Sequence, residues 1–150
     1  MTPRRVFVIG ATGTIGRATV RALLGQGHEV VCFVRPRAGA SDALPAGATV
    51  RHGDVTDPVS LARDGVGGER FDVLVSCLAS RTGAPRDAWA IDHQAQLNAL
   101  NAARAAGVTQ VVLLSAICVQ KPLLAFQHAK LAFEAALVAS GLTHSIVRPT

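Results

Sequence analysis

The chain has 150 residues, 49% hydrophobic and 17% charged. That is a globular composition, long enough to bury roughly 70% of the unfolded-chain surface in one domain. The net charge of +5 comes from scattered arginines rather than a block, which points to small anions. A nucleic-acid partner is not expected, because helix-turn-helix, zinc-finger and aromatic-basic sheet signatures are all missing. Met1 to Arg5 leads straight into a short apolar run, which implies no signal peptide, no import leader and no transmembrane segment. The expected location is cytoplasmic.

In chain order, Val6–Ile9 reads as a buried strand and Thr14–Leu24 as a helix stopped by Gly25-Gln26-Gly27. Val30–Val34 is a second strand, Ala38–Gly47 a loop of small residues, and Ala48–Arg51 a third strand. Val59–Arg63 has weak helical character. Phe71–Leu78 follows as a fourth strand and Ala88–Ala106 as a helix ending at Gly107. Gln110–Ser115 is a fifth strand, Ala125–Ser140 a helix ending at Gly141, and Ser145–Arg148 a sixth strand. All six strands read as buried. Strict alternation of this kind implies an α/β fold, a doubly wound parallel sheet with right-handed crossovers and helices on both faces. Cys32, Cys77 and Cys118 are too widely spaced for a metal or redox pair and read as small apolar core filler.

Gly10-Ala-Thr12-Gly13-Thr14-Ile15-Gly16 sits between the first strand and the first helix, where three spaced glycines carry a mechanism. Gly10 allows the tight turn, Gly13 lets a pyrophosphate approach the backbone, and Gly16 brings helix against sheet. The amides of Thr12 to Ile15 would face the pyrophosphate. Residues 1–150 are therefore expected to form one NAD(P)-binding domain of the Rossmann type.

An NAD-specific site would place a carboxylate at the end of the second strand, for the ribose 2′-hydroxyl. This chain has Arg35-Pro-Arg37 instead. Guanidinium groups suit a 2′-phosphate, so NADPH is the expected cofactor. Asp54 and Val55, after the third strand, are placed against the adenine. Ser76, Leu78 and Ala79, at the end of the fourth, would line the nicotinamide ribose. Ser115 ends the fifth strand beside the reaction centre, and Lys130 in the next helix is expected to bond the ribose hydroxyls. The histidines show no ligand spacing, so no metal is expected.

With GATGTIGR, Arg35-Pro-Arg37 and the run from Ile91 to Val108, the chain resembles the atypical and extended branches of the short-chain dehydrogenase/reductase superfamily over nearly its whole length. Ser76 to Gly83 and Leu113 to Glu134 are more narrowly similar to the divinyl chlorophyllide a 8-vinyl reductase family. In the superfamily Tyr-x-x-x-Lys usually supplies a phenol that protonates a carbonyl oxygen. Here Phe126 to Lys130 read F-Q-H-A-K, and the 150 residues contain no tyrosine. The resemblance implies NADPH-dependent reduction of a vinyl group on a magnesium tetrapyrrole, divinyl chlorophyllide. That reaction forms no oxyanion and so requires no phenol. His128 lies on a different helical face from Phe126 and Lys130 and is a secondary candidate for proton donation. The resemblance also implies that the walls of a tetrapyrrole pocket come after Thr150. A cofactor-sensing regulator and a reductase of quinones or phenolic alkenes, both of the same superfamily, are the alternative readings.

Overall fold

The computed structural model describes residues 2–150. Its centre is a parallel six-stranded sheet: β1 (Arg5–Ile9), β2 (Glu29–Val34), β3 (Thr49–His52), β4 (Val73–Ser76), β5 (Gln110–Leu114) and β6 (Thr143–Val147). The spatial order is β3-β2-β1-β4-β5-β6. Val6 of β1 pairs with Val30 of β2 on one side and Val73 of β4 on the other. Successive connections leave β1 in opposite directions, so a crevice opens at the carboxyl ends of β1 and β4.

The helices are α1 (Thr14–Gly25), α2 (Pro58–Ser60), α3 (Pro85–Ala88), α4 (Gln96–Ala105) and α5 (Ala125–Ala139). A π-helical stretch, Leu61–Val66, continues α2, and another, Trp89–Ala95, joins α3 to α4. The two faces of the sheet carry separate cores. On one, Phe7, Phe33 and Phe71 pack with residues of α4 and α5; on the other, Val6, Val8 and Cys32 pack with Val20 of α1. Phe71 meets Phe7 edge-on with ring centroids 5.2 Å apart, and the Arg5 guanidinium lies 4.5 Å from the Phe71 centroid.

The structure differs from the sequence reading at four places. The fourth strand is only Val73–Ser76, because Phe71 donates its amide to Ala106 O and Cys77 makes a last bond to Ile9 O before the chain turns into the crevice. The third helix begins at Pro85 rather than Ala88, with proline at the position where a missing N–H costs nothing. Neither edge strand is buried: Thr143, His144, Ser145 and Val147 of β6 are exposed, and so are Thr49 and His52 of β3, since each strand is bonded on one side only. Cys118 is exposed, with φ 63°, and belongs to no core.

The helix stops fall as read, with positive φ at Gly27, Gly107 and Gly141. Gly16 has a packing role instead, since a methyl group there would overlap the carbonyl oxygen of Gly10 and the backbone of Ala11. Gly16→Ala should destabilise the fold by about 1–3 kcal/mol, the usual range for overpacking. Gly25→Ala, in the same helix with nothing within 4 Å, should not. Urea unfolding of the two variants separates these outcomes.

Candidate dinucleotide site

The N-terminus of α1 opens into the crevice. Gly13 is its cap residue and no side chain bonds to it, so the first amides of the helix have neither an intrahelical partner nor a side-chain cap. Gly10 has φ 73°, and a side chain on it would collide with the backbone of Cys77 and Leu78. The loop after β1 is therefore pressed directly on the chain leaving β4. Gly13 differs: the nearest atom to a methyl built there, the carbonyl oxygen of Gly10, is 3.8 Å away. Two of the three glycines are required by packing, and the third leaves backbone amides bare toward the crevice. A Gly-rich loop with an uncapped helix end and a free face fits the pyrophosphate of a dinucleotide.

The crevice is a cleft of about 510 Å³. Gly10, Thr12, Gly13, Arg35, Arg37, Val55, Leu78 and Ala79 line it. Thr14, Ile15 and Gly16 form the first turn of α1 and are not among the lining residues. Asp54 is exposed and does not line the cleft; its carboxylate accepts bonds from the Thr56 amide and hydroxyl at 2.8 and 2.7 Å. Those bonds, and secondarily the charge of Arg35, hold Asp54 below the usual carboxylate range. Asp87 is lowered likewise, first by the Thr82 amide and hydroxyl and least by Arg35.

Three expected residues make buried bonds and are not among those lining the cleft. Ser76 donates its hydroxyl to Gln96 Oε1 at 2.7 Å. Ser115 donates to Glu134 Oε2 at 3.1 Å, while the other oxygen of Glu134 accepts from Arg148 at 2.7 Å. Lys130 is 6% exposed, pairs with Asp92 at 3.2 Å and donates to Leu78 O at 3.3 Å. Phe126 is half-buried one turn before it, beside Gly83, and His128 is exposed on α5 outside the cleft lining.

Two residues were missed. Arg81 lines the cleft as a third cation, carried by the loop after β4. Asp92 is 1% exposed and lies in the buried stripe of Ala88, Ala95, Ala99 and Ala103. That helical spacing was the available signal, since an acid on an apolar stripe needs a buried partner.

Residues 10–150 match the family model described as NAD(P)H-binding. The chain belongs to this family. Its cofactor is a nicotinamide dinucleotide. Among solved structures, it is similar to a UDP-galactose 4-epimerase, with TM-score 0.85, 25% identity and coverage of 96% of this chain and 55% of that one. The Bordetella bronchiseptica enzyme WbmG in complex with NAD is similar too, with TM-score 0.83, 25% identity and coverage of 98% and 53%. A curated relative, the chloroplastic divinyl chlorophyllide a 8-vinyl-reductase of Oryza sativa subsp. indica, is 48% identical over 160 residues, covering 97% of this chain. The chain spans about two fifths of that relative's length, 39%. The cytoplasmic expectation is corrected by the relatives of this name at 44–48% identity, which are all chloroplastic. No helix among the described residues is long and apolar enough to cross a membrane.

The three thiols report on the cleft. Cys118 is exposed, Cys77 lines the cleft half-buried, and burial pushes Cys32 up to about 12. Burial raises Cys77 too, against the smaller lowering by its bond to Thr19 and by the Lys130 charge. Alkylation at neutral pH should therefore modify Cys118 first, Cys77 slowly, and Cys32 only on unfolding. Bound NADPH should slow Cys77 further without affecting Cys118, as read by mass spectrometry of the peptides.

Proposed function

We propose that these residues form the NADPH-binding part of a reductase that converts the 8-vinyl group of divinyl chlorophyllide to ethyl. The observation that carries this reading is the 48% identity to such a reductase across 97% of the chain. The site is consistent with it: Arg35, Arg37 and Arg81 line the cleft, and its second-strand corner carries no acid. Cations there favour a 2′-phosphate, and an acid would select the free hydroxyl.

When bound, NADPH would supply hydride to the terminal vinyl carbon and leave as NADP+, with a proton from water at the adjacent carbon completing the ethyl group. The chain's own part is binding and orientation. The α1 amides and Gly13 receive the pyrophosphate, Arg35 and Arg37 take the 2′-phosphate, and Leu78 and Ala79 face the nicotinamide half. Lys130, held behind Leu78, is the residue proposed to reach the ribose hydroxyls. Until that proton arrives, the negative charge would spread into the macrocycle rather than gather on an oxygen. Phe126 in place of a phenol is then no defect. The remaining walls of the tetrapyrrole site come from segments with no counterpart in these residues, consistent with the match covering 39% of the relative.

Each charge-assisted bond to a 2′-phosphate contributes roughly 1.5–3 kcal/mol, so Arg35→Ala should weaken NADPH by about ten- to a hundredfold and leave NADH nearly unchanged. Fluorescence titration with both cofactors checks this, and equal losses would remove the assignment of the arginines. For the reaction, these 150 residues replace the matching segment of the rice reductase. The chimera should form the ethyl product from divinyl chlorophyllide, while the isolated chain binds NADPH without turnover. An inactive, folded chimera that still binds NADPH would defeat the substrate reading. Phe126→Tyr in the active chimera should not raise turnover; a gain of about tenfold would mean that a proton donor is needed there after all.

A further inference from the structure

The turn between β5 and α5 takes no part in the cleft lining, yet it holds a cluster of apolar side chains in solvent. Leu123 is 89% exposed, Leu124 57% and Ile117 52%. Strands β4 and β5 run parallel with Ser76 opposite Leu113, so this turn leaves the sheet at the same end as the cleft-lining segment Cys77 to Ala79. The turn is well tied. Val119 is fully buried, the Lys121 amide donates to Cys118 O at 3.1 Å, and Gln127 Oε1 accepts the amides of Leu123 and Leu124 at 2.9 and 3.0 Å. Single apolar side chains on a surface are ordinary, whereas a cluster on one ordered turn marks a contact surface.

Its polar neighbours indicate what it contacts. His128 is exposed one helical turn after Leu124 and donates its amide to Leu124 O at 3.2 Å; residues four apart share a helical face. Among the described residues, the rings of His28, His52 and His144 are hydrogen-bonded and that of His93 packs on Trp89, while the His128 ring has no such partner. Lys121, exposed on the same turn, is likewise in no ion pair among the described residues. A magnesium tetrapyrrole offers the complement of these groups: a flat apolar face, a metal whose ring nitrogens leave an axial position open, and a carboxylate at the edge. We propose that Leu123 and Leu124 carry one face of the macrocycle, with His128 as axial ligand to its magnesium and Lys121 beside its propionate. The inference rests on the reading of the protein as part of a divinyl chlorophyllide reductase, and it assigns to this chain one wall of the substrate site. The metal belongs to the substrate; an imidazole nitrogen replaces a water molecule on it, with no change of oxidation state.

Two pigments separate the roles of ring and metal. Divinyl chlorophyllide and its magnesium-free counterpart, divinyl pheophorbide, are titrated into the rice chimera loaded with NADP+, so that no turnover occurs, and binding is followed by pigment fluorescence. Leu123→Gln/Leu124→Gln should weaken both pigments about tenfold, since each leucine loses its apolar contact with the ring. His128→Ala should weaken only the magnesium pigment, by about tenfold, change the magnesium-free one by less than about twofold, and be restored by added imidazole. NADPH affinity should stay at the wild-type value in both variants. Equal effects of His128→Ala on the two pigments, or none on either, would overturn the proposal. Unchanged pigment affinity in the leucine variant would overturn it too, whether that variant instead loses urea stability, as it would if another part of the chimera covers the leucines, or loses binding to phosphatidylglycerol vesicles, as it would if a lipid surface does. If the double variant does not fold, Leu123→Gln alone, at the most exposed side chain, is held to the same expectation. Failure of the reaction reading looks different: the wild-type chimera would then bind the pigment without forming the ethyl product, and the variants would still decide the platform. A wild-type chimera that binds neither pigment would overturn both.

Discussion

The rest of the structure depends on the close approach of two backbones at Gly10. The loop after β1 lies against Cys77 and Leu78 so tightly that a side chain on Gly10 would strike peptide atoms, and α1 is drawn onto the same loop because Gly16 has none either. Interiors pack at crystal density, so a contact of this kind leaves no slack for a methyl group. It sets the start of α1 and the exit from β4 on opposite sides of one crevice. The bare amides of α1, the guanidinium groups after β2 and the segment Leu78 to Ala79 then face a common space without any of them reaching far for it.

Behind the cleft the carboxyl ends of the strands are stitched by buried polar bonds. Ser76 bonds Gln96, Ser115 bonds Glu134, and Lys130 bonds Asp92, while Asn98 donates to the carbonyl oxygens of Val55 and Thr56. Among the described residues, no buried side-chain nitrogen or oxygen lacks a partner. Complete satisfaction matters because removing one partner of a buried ion pair costs about 3–5 kcal/mol, a large share of a domain's net stability. The bonds of Ser76, Ser115 and Asn98 each join a helix to a strand end or to the loop following one, and the Lys130–Asp92 pair joins two helical segments. They hold the rim of the crevice from behind, and the cleft surface itself is left to backbone, small side chains and arginines.

Much of this was legible beforehand. Apolar runs separated by Ala-rich stretches marked all six strands, and the three glycines between β1 and α1 marked the cleft, because both signals are local consequences of backbone chemistry. The errors share a cause. Phe71 has strand composition, yet it packs on Phe7 outside the ladder, and Ser145 to Val147 have strand character although the strand lies at an edge. Composition reports what a segment can become, while neighbours determine where a ladder stops and which side is covered.

By itself, the sequence determined the alternation of strand and helix, the glycine loop, the lack of an acid after β2 and the missing phenol at Phe126. Each of these is a property of a residue type at a position, and no contact is needed to state it. Only the tertiary structure decided which polar groups face the cleft. Ser76 and Ser115 end strands where a ligand would lie, but their hydroxyls turn inward to Gln96 and Glu134. Arg81 reaches the cleft from a loop with no helical or strand period, and Asp92 meets Lys130 across 38 positions of chain (130 − 92). Buried polar groups take the partner that packing brings to them, and packing between distant segments has no counterpart in local sequence.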